Sequence, residues 1–257
     1  MHAPYAALRR NRIAWAQHWR HGDGPRPTIV VIHGFMASPY WLNGAFCSMP
    51  WFYEHGYDVL FVTLPFHGRR RSRLAYNGAG IFAHGVAHVA EAMVHAIHDL
   101  RLWISHLEGL GVERVGVTGI SLGGYTTALL AAADDRPHFA IPNAPVSDMA
   151  VMGRVWPPTG QLIEAVVPRR GISAASYRQA MASHSPLSYP PRLPKDRVFI
   201  IAGLGDRLAP PSQSEALWEH WDRCQLHWYP GSHALHLSQG TYLKLMGRFM
   251  QQTGFAL

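Results

Sequence analysis

Residues 114–133 read Arg-Val-Gly-Val-Thr-Gly-Ile-Ser-Leu-Gly-Gly-Tyr-Thr-Thr-Ala-Leu-Leu-Ala-Ala-Ala, and this stretch decides the fold. Its first half, Arg114 to Ile120, is short, apolar and β-branched, as a strand buried on both faces must be. Its second half, Leu122 to Ala133, is rich in alanine and leucine and reads as a helix. Between them Gly119-Ile120-Ser121-Leu122-Gly123 matches G-x-S-x-G. The glycines permit a sharp strand-to-helix turn that presents the Ser121 hydroxyl at the sheet edge. The helix start behind it offers unpaired backbone N–H groups and the positive end of a dipole. The same five residues could be a glycine-rich turn with an incidental serine; the strand before and the helix after favour a nucleophile.

Working outward, Thr28–Ile32, Asp58–Leu64, Phe139–Pro142, Arg197–Ala202 and Gln225–Tyr229 also read as strands. Ile13–Arg20 alternates loosely and fits an edge strand. Helical stretches lie at Tyr40–His55 (kinked or ended by Pro50), Ile81–Leu107, Pro211–Trp221 and Leu235–Gln251. Strands alternating with helices imply an α/β fold, a mostly parallel twisted sheet with helices on both faces. The pattern loosens between Ala144 and Pro194, where prolines break it. Residues 147–189 therefore read as a cap-like insertion over the C-terminal edge of the sheet, where such folds place their sites. The expected organisation is one domain over residues 1–257.

The bulk properties narrow the classes. The 257 residues, 48% hydrophobic and 15% charged, suit one globular unit with a large core. No apolar run approaches ~18 residues, so no integral membrane segment is expected. The beginning of the chain lacks a secretory pattern, and two cysteines make no disulfide framework, so a cytoplasmic, reducing setting fits best. The net charge of +7 and pI near 9.7 raise nucleic acid as a partner. The arginines are mostly dispersed and no nucleic-acid motif is present, so none is expected.

Further pieces carry a resemblance. Val30-Val31-Ile32-His33-Gly34-Phe35 is a strand ending in His-Gly; Ile200 to Asp206 is a strand and loop ending in an acid; Tyr229-Pro230-Gly231-Ser232-His233 is a loop ending in histidine. Together with the serine turn, in the order Ser, Asp, His, they resemble the α/β-hydrolase superfamily, over roughly residues 28 to 250. The likeness is to small esterases and to dienelactone-hydrolase or peptidase-like members. It implies a Ser121–His233–Asp206 triad, with an oxyanion hole from the backbone N–H groups of Phe35 (Met36 as alternative) and Leu122. His236 is a rival base, expected inside the last helix. Asp148, near Asn143, is the backup acid. An N-cap or Asx-turn is the plainer role for Asp206.

The implied chemistry is hydrolysis of a small-molecule ester or related acyl compound through an acyl-enzyme, without cofactor or metal. Acyl transfer or cofactor-free perhydrolysis on the same triad, or a non-catalytic binding role for the fold, are the alternatives. A homo-oligomer stays open. His84, His88, Glu91, His95 and His98 share one helical face, which reads as solvated or as an interface, since one straight helix cannot converge three ligands on a metal. Arg69, Arg70, Arg71 and Arg73 cluster after the second inner strand. They read as a solvated loop or, through Arg70 and Arg71, as an anion-binding rim at the site mouth. Trp41, Trp51, Trp156 and Tyr177 could line an acyl pocket or simply be core.

Overall fold

The computed structural model describes residues 3–35, 40–71, 76–157, 160–161, 165 and 172–255. Met36 and Arg73, and residues 158–159, 162–164 and 166–171 in the middle of 147–189, lie outside the described residues.

Alternating side chains in the strands create two apolar faces, and both are covered. Seven strands form one sheet: β1 (Trp15–Trp19), β2 (Thr28–Ile32), β3 (Asp58–Thr63), β4 (Val115–Ile120), β5 (Phe139–Asn143), β6 (Phe199–Gly203) and β7 (Gln225–Tyr229). Their spatial order is β1-β3-β2-β4-β5-β6-β7, with β1 antiparallel to β3 and every other pairing parallel. The helices are α1 (Ala3–Ala6), α2 (Tyr40–Phe46), α3 (Met49–Glu54), α4 (Val86–Gly109), α5 (Leu122–Ala133), α6 (Met149–Val155), α7 (Ala174–Ala182), α8 (Pro211–His220) and α9 (Gln239–Gln252). Val30, Ile32, Leu60, Val62 and Val117 pack against Val89 and Ile97 of α4 and Leu129 of α5. Their neighbours Ile29, Val31, Val59 and Phe61 face the other way, onto Phe52 of α3 and Tyr242 and Phe249 of α9. Ala140, the register partner of Val117 across the β4–β5 ladder, joins Ile200 in a cluster with Leu217 of α8. This period of two is what sandwiches the sheet between helix layers. The structure thus has the mostly parallel, doubly covered sheet expected from the alternation of elements, and with it the α/β-hydrolase fold that the resemblance implied. Among the described residues no helix is long and apolar enough to cross a membrane.

Three expectations are corrected. Pro50 starts a helix rather than ending one: the break falls at Ser48, whose φ is +57°, and Pro50 stands in the first turn of α3, where its missing N–H costs nothing. The last helix begins at Gln239, not Leu235, so His236 lies in the loop before it. The histidine face of α4 is solvated only in part: His84 and His98 are exposed, but His88 and His95 have partners within the fold. His88 is buried and hydrogen bonds the Gly80 carbonyl at 2.9 Å, while the His95 ring meets the Tyr5 hydroxyl at 3.0 Å.

Arg70 is also corrected, because it is no rim residue. It is 1% exposed, and its guanidinium donates to the Thr63 carbonyl (2.9 Å), the Asn11 carbonyl (2.8 Å) and the Asp99 carboxylate (2.6 Å). A buried guanidinium committed to three acceptors of the fold cannot bind an anion from solvent. Arg69 stacks over Trp15 at 4.7 Å, and Arg71 is exposed with its carbonyl accepting from Arg10. Arg70→Met should destabilise the fold by about 3–5 kcal/mol, because Asp99 then keeps a charge without its partner. Urea unfolding measures this, and a midpoint unchanged from wild type would contradict the buried role.

Candidate active site

Because β2 to β7 run parallel, the segments leaving their C-terminal ends lie along one edge of the sheet. Those segments carry Phe35, Ser121, Asp206 and His233.

Ser121 stands between β4 and α5 with φ +59° and ψ −116°. A non-glycine residue held there stores roughly 1–3 kcal/mol of strain, which surrounding contacts must hold in place. Those contacts are on both sides of the residue: the Ser121 N–H donates to the Asn143 carbonyl at 2.9 Å, and the Ser121 carbonyl accepts from Tyr125 at 2.9 Å. The glycines make the turn sterically feasible. A Cβ on Gly119 would collide with the Gly123 backbone, and one on Gly123 with the carbonyls of Ile32 and His33. The serine is partly exposed, and the N–H of Leu122 begins α5 beside it.

The loop after β2 is fixed by its histidine. Leu64 N–H donates to His33 Nε2 at 3.1 Å, so the ring proton sits on Nδ1 and is donated to the Gly34 carbonyl at 2.8 Å. Burial pushes the His33 imidazole down to about 4, which keeps it neutral and this tautomer in place. Gly34 is pressed against the nucleophile turn: a Cβ there would sit 3.4 Å from the Ser121 Cβ and from the Ile120 carbonyl oxygen. The next residue, Phe35, is partly exposed, its ring resting on His67 and Phe82.

On the other side of the edge, His233 Nδ1 lies 2.6 Å from Asp206 Oδ2. Asp206 is buried, and its other oxygen accepts the N–H groups of Leu208 and Ala209, both at 2.8 Å. The plain Asx-turn role and the imidazole-orienting role are therefore played by the two oxygens of one carboxylate. The rivals are otherwise engaged. His236 uses both ring nitrogens, on the Tyr242 hydroxyl (2.9 Å) and the His233 carbonyl (3.1 Å). Asp148 caps α6 by accepting from Val151 N–H at 3.0 Å.

Of the aromatics, Tyr177 is core, and Trp51 packs beside Phe52 and His55. Trp156 donates its indole N–H to the Leu208 carbonyl at 2.9 Å, tying α6 to the loop that carries Asp206. Trp41 is 76% exposed. Two contributors were not read from the sequence: the Asn143 carbonyl, which anchors Ser121, and Tyr242, which holds His236. A backbone carbonyl has no sequence signature, and Tyr242 looks like any core aromatic of an amphipathic helix.

This fold and edge define an α/β-hydrolase, and solved structures agree. The chain superposes on Est1E from Butyrivibrio proteoclasticus bound to ferulic acid with a TM-score of 0.65 at 18% identity, over 93% of this chain and 95% of that one. It superposes on acetyl xylan esterase from Paenibacillus sp. R4 with a TM-score of 0.64 at 18% identity, over 93% and 79%. It also matches Pyrococcus horikoshii acylaminoacyl peptidase, with a TM-score of 0.58 at 18% identity over 94% of this chain and 38% of that one. At such identities the likeness is one of fold.

Residues 91–233, more than half of the chain, match the prolyl oligopeptidase family, and the chain belongs to that family. Among curated proteins it is 31% identical over 249 residues to uncharacterized protein Rv2627c of Mycobacterium tuberculosis (strain ATCC 25618 / H37Rv). Uncharacterized protein MT2702 of strain CDC 1551 / Oshkosh matches to the same degree. These alignments cover 95% of this chain but 58% of the relatives, so the chain spans little more than half their length.

Proposed function

We propose that this chain is a serine hydrolase that cleaves a small ester through an acyl-enzyme, with Ser121 as nucleophile, His233 as base and Asp206 as its orienting acid. The observation that carries the reading is the 2.6 Å Asp206–His233 contact on the sheet edge that also holds the strained Ser121 turn. With Asp206 accepting from Nδ1–H, the free lone pair of His233 is on Nε2, the atom that must take the serine proton. The alkoxide then attacks the ester carbonyl, and negative charge passes to the carbonyl oxygen. The backbone N–H groups of Phe35 and Leu122 receive that charge, each donor being worth about 10²–10³ in rate. Collapse expels the alcohol, to which His233 returns the proton, and water then releases the acid by the same steps in reverse. No cofactor is required.

The surroundings favour an apolar substrate. Among the described residues, segments that follow the C-terminal ends of the parallel strands expose large apolar side chains: Phe35 after β2, Trp41 in α2, Tyr76 after β3, Val155 in α6, Leu208 after β6 and Leu235 after β7. Residues 147–189 act as a cap on this reading. Met149 and Met152 of α6 and Tyr177 and Met181 of α7 belong to the same apolar cluster as Leu122 and Tyr125 of the helix that follows the nucleophile. The test is a p-nitrophenyl ester series read by stopped flow. A burst of nitrophenol should precede steady state, and kcat/KM should rise at least about tenfold from acetate to hexanoate, each buried CH₂ contributing up to about 0.8 kcal/mol. A flat or falling series would contradict the apolar mouth, and hydrolysis by a Ser121→Ala variant at the wild-type rate would contradict the mechanism.

A further inference from the structure

We propose that His236 is a positioning residue for the base, holding the main chain of His233 so that its imidazole meets both Asp206 and Ser121. This rests on the triad reading above. The loop that carries His233 is short and closed on itself. Gly231 and His236 pair as an antiparallel bridge, Ser232 N–H donates to the Leu235 carbonyl at 2.9 Å, and Leu235 N–H donates to Ser232 Oγ at 3.2 Å. His236 sits at the base of this loop. A carbonyl can only accept, so the 3.1 Å contact with the His233 carbonyl requires the proton on His236 Nε2. In the neutral ring Nδ1 is then an acceptor, and the Tyr242 hydroxyl donates to it at 2.9 Å. Burial lowers the His236 pKa, which favours this neutral form.

The support continues below the ring. His236 packs against Tyr229, the last residue of β7, with ring centres 4.4 Å apart, and against Phe46 of α2 at 5.4 Å. Tyr242 is itself buried, and it lines one small cavity together with Ser48 and Asn143. Asn143 is the residue whose carbonyl receives the Ser121 N–H. The polar contacts that run from Tyr242 through His236 to the His233 main chain therefore begin beside the residue that anchors the nucleophile turn. They hold the His233 loop from beneath. An error of about 1 Å in the placement of a reacting group can cost about 10²-fold in rate.

Three variants test this with p-nitrophenyl butyrate and a fluorophosphonate probe. His236→Phe keeps the ring contacts and removes both hydrogen bonds. Its kcat and its rate of Ser121 labelling should fall about 10–100-fold while KM stays within about twofold. His236→Gln returns an N–H near the Nε2 position and should recover activity to within about fivefold of wild type. Equal losses in the Phe and Gln variants, or kcat within threefold of wild type in His236→Phe, would overturn the positioning role. If His236→Phe does not fold, Tyr242→Phe decides: kcat lowered threefold or more at constant KM supports the proposal, and unchanged kcat overturns it. Wild-type protein that the probe does not label would overturn the serine-hydrolase reading, and the positioning role with it.

Discussion

Replacing His233 with alanine is expected to lower kcat for ester hydrolysis by about 10⁴–10⁶-fold, the loss typical when a general base is removed from a triad. The serine hydroxyl is a poor nucleophile until an imidazole takes its proton, and within the described site His236 cannot substitute. Both nitrogens of His236 are occupied, by the Tyr242 hydroxyl and the His233 carbonyl. The loss in His233→Ala should therefore exceed that of any His236 variant by at least about two orders of magnitude. Steady-state kinetics on both variants, with circular dichroism to verify folding, makes the comparison. If His236→Ala is the more damaging change, the base has been misassigned.

Asp206→Asn is expected to lower kcat by about 10⁴-fold while the turn around it survives. The amide oxygen can still accept from the N–H groups of Leu208 and Ala209, the two contacts now made by Oδ1. Its NH₂ group would face His233 Nδ1, which lies 2.6 Å from Oδ2 in the native site. A donor in that place makes Nδ1 the acceptor and moves the ring proton to Nε2, so the lone pair needed by Ser121 disappears. Asp148→Asn is the control. Its carboxylate caps α6, and asparagine caps a helix about as well as aspartate. Activity there should stay within about threefold of wild type. A larger loss in Asp148→Asn than in Asp206→Asn would transfer the acid to Asp148.

The sequence was most informative where local rules act alone. β2, α5 and β7 have the bounds that patterning predicts, because each is a short run whose own residues determine its state. Ser121 and its glycines were legible for the same reason: the turn needs them within five positions. The pairing of Asp206 with His233 was legible only through resemblance, as the two lie 27 residues apart with a helix and a strand between them.

Long-range contacts account for the misreadings. Arg70 looked like one of a group of surface charges, yet its partners are Asn11, 59 positions earlier, and Asp99, 29 positions later. His88 and His95 read as part of a solvated or interface face because nothing nearby in sequence shows that Tyr5 packs over them. His236 looked helical because the apolar pattern runs back to Leu235. Its pairing with Gly231 across the loop keeps it out of the helix. For Arg70 and the histidines the deciding partner is distant in sequence; for His236 it is Gly231, five positions earlier, whose bridge leaves no mark in the apolar pattern.

The most direct test of the account is where a fluorophosphonate becomes attached. The protein is treated with the probe, its intact mass is recorded, and the modified peptide is sequenced by tandem mass spectrometry. The account predicts a single adduct on Ser121, none in Ser121→Ala, and loss of ester hydrolysis in proportion to labelling. An adduct on another serine, or hydrolysis that persists after full labelling of Ser121, would contradict it.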